Sequence, residues 1–163
     1  MKTQMTFRIE RATERDLPLI LKLIKGLAEY EKLAHAVKAT EHTLHDSLFV
    51  KRAAEVVIGY AGDEPAGFAL FFQTFSTFLG IPGMYLEDIF VEPRFRRQGL
   101  GEALMAHLAK LAVERGYGRL EWSVLDWNEL AIGFYKKLGA RPMDEWIIYR
   151  LAGDSLKQLA NAD

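Results

Sequence analysis

The sequence predicts an α/β (α+β) protein in which helices cover both faces of a mixed sheet. Two observations lead to this fold class. Strand-like segments cluster in the first 91 residues, whereas helical and strand-like segments alternate after that point. Packing of helices on a sheet is the usual way for such a set of elements to bury its apolar faces. The chain has 163 residues, of which 50% are hydrophobic and 26% charged, so we expect a single domain over 1–163 with one core.

The first half of the chain contains two predicted helices and three predicted strands. Residues 6–11 alternate apolar and polar side chains and predict the first strand. Thr13 and Asp16 have capping-box spacing, and the apolar residues that follow trace one face of a helix up to Ala28. A shorter helix is expected over 40–49. Segments 54–60 and 66–75 predict paired strands around a glycine-containing turn.

The second half begins with a fourth strand over 84–91 and then alternates between the two kinds of element. The clearest helix covers 99–115, where apolar residues recur every three or four positions and Gly116 suits the C-terminal cap. A fifth strand over 119–125, a helix over 128–138 and a late strand over 146–151 follow. A short terminal helix is expected over 155–160.

Composition excludes several classes of site and partner. The chain has no cysteine, which excludes disulfides, thiolate zinc sites and a cysteine nucleophile and fits a cytoplasmic location. Its four histidines lack a metal-ligand pattern, so we expect no metal. The formal net charge of −1 gives no general reason to expect a nucleic-acid partner. The uncharged segment 65–86 contains polar residues, glycines and proline in its second half, which favours two sheet strands over a membrane span, so we expect no membrane partner.

A strand followed by a basic, glycine-containing turn and a helix N-terminus is the most informative feature. The turn reads Arg96-Arg97-Gln98-Gly99-Leu100-Gly101. The first amides of a helix have no partner within the helix and carry the positive end of its dipole. Glycine lets the backbone approach an anion closely. The arrangement therefore predicts a phosphate-bearing cofactor, although a plain loop-to-helix junction is the simpler alternative.

Together with the segment 128–140, this turn resembles the signature of the GCN5-related N-acetyltransferase (GNAT) superfamily. Within it, the segments 27–31, 85–91 and 126–129 look most like the branch of diamine (spermidine/spermine) and thialysine acetyltransferases. The resemblance implies a twisted, mostly antiparallel sheet of about six to seven strands. It also implies acetyl-coenzyme A as co-substrate, a small-molecule amine as acceptor and a homodimer.

The same resemblance assigns roles to individual residues. Tyr135 would be the general acid, and Glu87 would accept the proton of the amine directly or through water. The amine would lie beside Tyr30, Glu31 and Glu87. The segment between Gly139 and Trp146, which borders the amine in this branch, differs here, and Asp144 could supply a carboxylate in it. The residues that would hold the cofactor are Ile89, Phe90, Val91, Arg96, Arg97, Gln98, Gly99, Leu100, Gly101, Glu102, Asn128 and Ala131.

These roles are chemically reasonable, and each has a structural alternative. An alkylamine has a pKa near 10.4 and must lose a proton before it attacks, so a nearby carboxylate is useful. Period-two alternation places Tyr85, Glu87 and Ile89 on one face of the fourth strand; the alternative for Glu87 is a solvated or salt-bridged carboxylate. A phenol with a pKa near 10 can protonate a departing thiolate; the alternative for Tyr135 is a core aromatic. An oxyanion would require a free backbone amide, near Phe90 or Val91, if the strand bulges there.

The sequence thus predicts acetyl transfer to a primary amine by direct attack, and the acceptor is expected to be a small di- or polyamine or a lysine-like amino acid. Two alternatives remain open. The chain could acetylate a protein or peptide, or it could be a non-catalytic sensor that binds acyl-coenzyme A. The uncharged segment 71–81 could be buried in the homodimer or in the core.

Overall fold

The computed structural model describes residues 5–162, and its contacts divide the chain into two compact units, Met1–Ser123 and Val124–Asp163. Residues 5–123 of the first unit form five strands and three helices. The strands are β1 (Phe7–Arg11), β2 (Glu55–Ala61), β3 (Glu64–Ser76), β4 (Ile81–Val91) and β5 (Leu120–Trp122). The helices are α1 (Leu17–Tyr30), α2 (Glu41–His45) and α3 (Leu100–Glu114). The expected helix over 40–49 is divided into α2 and a π-helical turn, Asp46–Val50.

The strands form one mixed sheet in the order β1-β2-β3-β4-β5. The first four strands are antiparallel to their neighbours, and β5 runs parallel to β4. The predicted fold class and the mostly antiparallel sheet are confirmed. The predicted count of six to seven strands is wrong, since the described residues form five. The fifth strand is also shorter than the expected 119–125, because only Leu120 to Trp122 pair with β4.

One face of the sheet packs against α1 and α2. Phe68 of β3 and Phe90 of β4 are directly opposite each other, and their rings meet edge to face with centroids 6.5 Å apart. They belong to a buried apolar cluster that includes Ile20 and Leu23 of α1 and Leu44 of α2. This cluster is the core that holds α1 and α2 against the sheet.

The other face of the sheet packs against α3. Successive side chains of a strand point to opposite faces, so Gly67 faces away from the cluster that contains Phe68. The buried Leu100, at the start of α3, lies against Gly67 and against Gly59 of β2. A Cβ built on Gly59 would lie 2.7 Å from the Leu100 side chain. The missing side chains let α3 begin close to the sheet, as predicted for helices on both faces.

The second unit contains two helices, α4 (Glu129–Lys137) and α5 (Gly153–Ala160). No residue between 124 and 162 is buried or forms a strand. The predicted late strand over 146–151 is therefore wrong. The segment contains the aromatic and β-branched residues that favour a strand, but a strand forms only with a hydrogen-bonded neighbour, and the described part of this unit offers none. Trp146, Ile147, Ile148 and Tyr149 are all at least 75% exposed. Within residues 5–162, none of the helices combines the length and the apolar character needed to cross a bilayer.

Candidate active site

A β-bulge in β4 places Glu87 outside the regular strand pairing. Leu86 pairs with Phe71 and Asp88 pairs with Leu70, so two consecutive residues of β3 oppose three of β4 and Glu87 has no partner. A bulge of this kind leaves one residue unpaired and bends the strand, and such bulges are common beside active sites. Glu87 is exposed at this position.

The bulge changes which side chains of β4 share a face. Tyr85 pairs with Phe72, with ring centroids 5.3 Å apart, while Asp88 pairs with Leu70 two residues earlier in β3. Tyr85 and Asp88 therefore share the face that carries α1 and α2. The predicted alternation, with Tyr85, Glu87 and Ile89 on one face, is wrong because the extra residue shifts its phase. The bulge also lies several residues before Phe90 and Val91, where a freed backbone amide was expected.

Two carboxylates, Glu87 and Glu31, act on a third, Asp88, near this bulge. Burial, together with the negative charges of Glu87 and Glu31, raises the pKa of Asp88 to about 6. Glu31 follows directly after α1, and partial burial raises its pKa as well. Desolvation and neighbouring negative charge both disfavour the ionised form of a carboxylate. The group would therefore gain stability from a cation, and it has the charge expected of a site for an alkylammonium ion.

The Arg96 side chain lies between the end of α1 and the end of β4. Its guanidinium carbon is 4.5 Å from the ring centroid of Tyr30 and 5.6 Å from that of Phe90. Its Nε donates a hydrogen bond to the carbonyl oxygen of Val91 over 2.9 Å. The first side chain of the predicted phosphate-binding turn thus contacts Tyr30, one of the residues predicted to lie beside the amine.

Two residues in the rest of the turn have left-handed backbone conformations. Arg97 and Gly99 both have positive φ angles, 60° and 95°, and Gly99 is the residue before α3. A left-handed conformation in a non-glycine residue is strained by roughly 1–2 kcal/mol and is typical of functional loops. Alternating backbone conformations turn successive amides toward one concavity.

The turn also offers the space that a pyrophosphate requires. A Cβ at Gly99 would meet no described atom within 4 Å, so the backbone there is open to a ligand. Gly101 and Glu102 lie in the first turn of α3, whose 15 residues give it a substantial dipole. An open backbone at a helix N-terminus is compatible with a pyrophosphate, and the cofactor-binding role of these residues stays a prediction.

The second unit contains the other predicted site residues. Asn128 caps α4, and its side-chain oxygen accepts a hydrogen bond from the amide of Ala131 over 3.3 Å. Tyr135 lies about two turns further along α4 and is partly buried, with its ring centroid 5.6 Å from that of Phe134. Asp144 is exposed in the segment after α4. The predicted acid Tyr135 and the predicted base Glu87 lie in different units, and their partnership stays a prediction.

Comparison with known proteins identifies the family. Residues 20–140 match the Acetyltransferase (GNAT) family. The chain belongs to this family. Thialysine N-epsilon-acetyltransferase from Bos taurus is 37% identical over 93% of this chain and 96% of the relative. L-ornithine N5-acetyltransferase from Arabidopsis thaliana is 34% identical over 96% of this chain and 89% of the relative. The solved structure of an integron cassette protein from the mobile metagenome of V. cholerae has a TM-score of 0.81, at 29% identity over 97% of this chain and 99% of its own.

Membership of the GNAT family makes the chain an acyltransferase of the N-acetyltransferase type, and the branch expected from the sequence is confirmed. GNAT enzymes use acetyl-coenzyme A as co-substrate. The turn from Arg97 to Glu102 offers the open backbone and the helix N-terminus that its pyrophosphate would need.

Sequence reasoning missed the position of Asp88 in this GNAT protein. Asp88 is not among the site residues predicted from the sequence, whereas its side chain is only partly exposed and lies on the face of the sheet that carries α1. One sequence signal could have identified it. Glu87 and Asp88 are adjacent in an apolar strand, and a regular strand would have to point one of them into the core. Such a pair therefore indicates a bulge or a functional carboxylate.

Proposed function

We propose that the enzyme moves an acetyl group from acetyl-coenzyme A to a primary amine by direct attack. The acceptor is a small di- or polyamine or a lysine-like amino acid. The observation that carries the proposal is the carboxylate group at the bulge, formed by Glu31, Glu87 and Asp88. The relatives named for thialysine and L-ornithine support an amino acid with a side-chain amine.

The carboxylates would perform two successive tasks. Their negative charge attracts the alkylammonium form, which dominates at neutral pH because the amine has a pKa near 10.4. One carboxylate must then accept a proton so that the nitrogen lone pair becomes available. We assign this second task to Glu87, which the bulge exposes, acting directly or through water. Asp88 and Glu31 hold the cation, with Tyr30 beside them and Asp144 as a further carboxylate.

The cofactor residues and Tyr135 complete the proposal. Acetyl-coenzyme A supplies an activated thioester: the amine nitrogen bonds to the acetyl carbon, the carbon–sulfur bond breaks, and coenzyme A leaves as a thiolate. The backbone from Arg97 to Glu102 binds the pyrophosphate, and the end of β4 from Ile89 to Val91 binds the acetyl and pantetheine portion. Asn128 and Ala131 contact the cofactor further along. The Tyr135 hydroxyl donates its proton to the departing sulfur, since a phenol remains protonated at neutral pH.

The test is the release of the coenzyme A thiol from acetyl-coenzyme A with a panel of diamines, polyamines, lysine-like amino acids and short peptides. Tyr135→Phe removes only the hydroxyl. We expect it to lower kcat by about tenfold or more, as loss of a general acid does, while acetyl-coenzyme A still binds. Tyr149→Phe is the matched control, because Tyr149 is 92% exposed in the same unit.

Each outcome of this panel decides between functions. Full activity of Tyr135→Phe would exclude Tyr135 as the acid. Release with peptides but with no small amine would favour the protein or peptide N-acetyltransferase. Cofactor binding by the wild type without release in the presence of any acceptor would favour the sensor.

We further propose that the enzyme is a cytoplasmic homodimer. The tip of the β3–β4 hairpin supports a protein contact, because Phe78 is fully exposed and Phe75 is 61% exposed. Burying such side chains on a second copy would remove apolar surface from water. Light scattering at micromolar concentration should give twice the mass of the 18.5 kDa chain, and a monomer would contradict the dimer.

A further inference from the structure

We infer that Arg96 is a positioning residue for the amine, because its guanidinium holds the Tyr30 ring at the edge of the carboxylate group instead of binding the cofactor phosphates. The inference rests on the proposed function, since it assigns Tyr30 to the amine side of that same site. It changes the role expected for the first side chain of the phosphate-binding turn. The backbone of the turn keeps its predicted role.

The Arg96 side chain is fixed by contacts at three points. Nε donates to the Val91 carbonyl over 2.9 Å, which orients the guanidinium plane. The guanidinium carbon lies 4.5 Å from the Tyr30 ring centroid and 5.6 Å from that of Phe90. Both distances are within the range at which a cation is attracted to the face of an aromatic ring. A guanidinium suits this position because it is planar and can stack while it donates a hydrogen bond in its own plane.

Phe90 gives this arrangement a rigid base. Its ring packs edge to face on Phe68, and on its other side it approaches Gly26 of α1 so closely that a Cβ there would lie 3.0 Å from the ring. Only 5% of Phe90 is exposed. Arg96 therefore links the Tyr30 ring to the Phe90 ring, which is held in place by its packing.

Tyr30 lies at a point where its contact with Arg96 affects the amine site. It is the last residue of α1 and is 37% exposed, so α1 itself constrains it less than a residue in the middle of the helix. Glu31 follows it directly, and the charge of Glu31 acts on Asp88. Because Glu31 is joined to Tyr30 through the backbone, a displacement of the end of α1 would move Glu31 as well. We therefore expect the stack on Arg96 to hold Tyr30, and with it Glu31, in place.

A phosphate-binding role and a positioning role predict opposite kinetics. If the Arg96 guanidinium bound the pyrophosphate, its loss would raise the KM for acetyl-coenzyme A and leave the amine unaffected. If it positions Tyr30, its loss raises the KM for the amine. We expect Arg96→Gln to raise the amine KM by about three- to tenfold, the range of an aromatic–cation contact. The KM for acetyl-coenzyme A should stay within about twofold.

Variants of Tyr30 test the contact itself. Tyr30→Phe keeps the ring face and should bind the amine nearly as the wild type does. Tyr30→Leu removes the ring and should raise the amine KM as Arg96→Gln does. The double variant Arg96→Gln/Tyr30→Leu should be no worse than either single variant, because both remove the same contact. Arg96→Lys keeps the charge without the planar fork and should give an intermediate amine KM.

The chain contains a matched control in its first two strands. The Arg8 guanidinium lies 4.7 Å from the Tyr60 ring centroid, and Arg8 also donates to a backbone carbonyl, that of Gly62, over 3.0 Å. Arg8→Gln removes the same kind of stack away from the carboxylate group. It should change neither KM.

Two results would overturn the inference in an active enzyme. One is a rise in the KM for acetyl-coenzyme A with an unchanged amine KM in Arg96→Gln. The other is a double variant whose effect is the product of the two single effects. If the wild type acetylates no amine, the proposed function fails, and calorimetric titration of spermidine and L-lysine into protein loaded with coenzyme A decides the inference. Equal results for wild type and Arg96→Gln in that titration would overturn it, whereas weaker amine binding in the variant would support it.

Discussion

The two units of the chain differ in what happens to the same kind of sequence. In β3 a run of apolar residues becomes a paired strand, and Phe68 and Phe71 are each no more than 1% exposed. Residues 146–149 are also apolar, yet they remain unpaired and at least 75% exposed. Strand formation needs a neighbouring backbone as well as suitable side chains. A run of apolar residues is therefore not sufficient for a strand.

Substitution of glycine by alanine tests this difference between the two units. The largest change in stability is expected in the sheet. Gly67 of β3 pairs with Val91, and a Cβ built on Gly67 would overlap the carbonyl oxygen of Phe90. That oxygen belongs to a backbone held by the buried Phe90 ring, so it cannot yield easily. Gly67→Ala should lower the free energy of unfolding by about 1–3 kcal/mol, the usual cost of overpacking a core. Urea denaturation followed by circular dichroism measures this change.

The same substitution should also affect the cofactor turn. Leu100 at the start of α3 lies against Gly67, so a methyl group there displaces the helix N-terminus as well. We therefore expect weaker binding of acetyl-coenzyme A at temperatures where Gly67→Ala is still folded. Unchanged stability together with unchanged cofactor affinity would show that β3 and β4 can separate freely, contrary to the packing described above.

A smaller change in the free energy of unfolding, and one of opposite sign, is expected for a substitution at Asp88. Its pKa is raised from an ordinary 3.8 to about 6, so the folded chain disfavours the ionised form. A raised carboxylate pKa means that the unfolded chain loses its proton first. The carboxylate therefore destabilises the fold increasingly as the pH rises from about 4 to about 6, and fully above that range. Asp88→Asn removes this cost and should raise the free energy of unfolding by about 1–2 kcal/mol at pH 8.

The gain should shrink as the pH falls below 6, because Asp88 becomes protonated and resembles the amide. Denaturation at pH 8 and at pH 5 measures the difference. Asp63→Asn, at an exposed turn residue, is the control and should change stability little at either pH. The amine KM of Asp88→Asn should rise, because the variant loses the negative charge that attracts the alkylammonium cation. A gain of equal size at both pH values would contradict the raised pKa.

The features that the sequence predicted well are those decided within a few residues of one another. Helix α3 runs from Leu100 to Glu114, against an expected 99–115, because its apolar spacing and its two flanking glycines are local signals. The family signature is also local. The bulge at Glu87 depends on the register between β4 and β3, and the Arg96 stack depends on where α1 ends. The adjacent carboxylates Glu87 and Asp88 indicate a bulge or a functional site, but the neighbouring residues determine neither the strand register nor the partner of Arg96.

The smallest of these changes in stability is expected for a glycine substitution in the second unit. Gly133 lies inside α4, and a Cβ there would meet no described atom within 4 Å. Its φ is not in the left-handed region, unlike that of Gly139 after the helix, so a side chain brings no backbone strain. Gly133→Ala should stabilise α4 by about 0.5–1 kcal/mol, because alanine loses less backbone freedom on helix formation. Hydrogen exchange of the α4 amides is the appropriate measurement, since a local gain need not change global unfolding.

The same substitution of glycine by alanine thus lowers stability at Gly67 and raises it at Gly133, because only in the sheet is the space for the methyl group already occupied. Faster exchange in α4 of Gly133→Ala would mean that another group packs against this face of the helix in solution, and the contrast between the two units would then be smaller than the structure indicates.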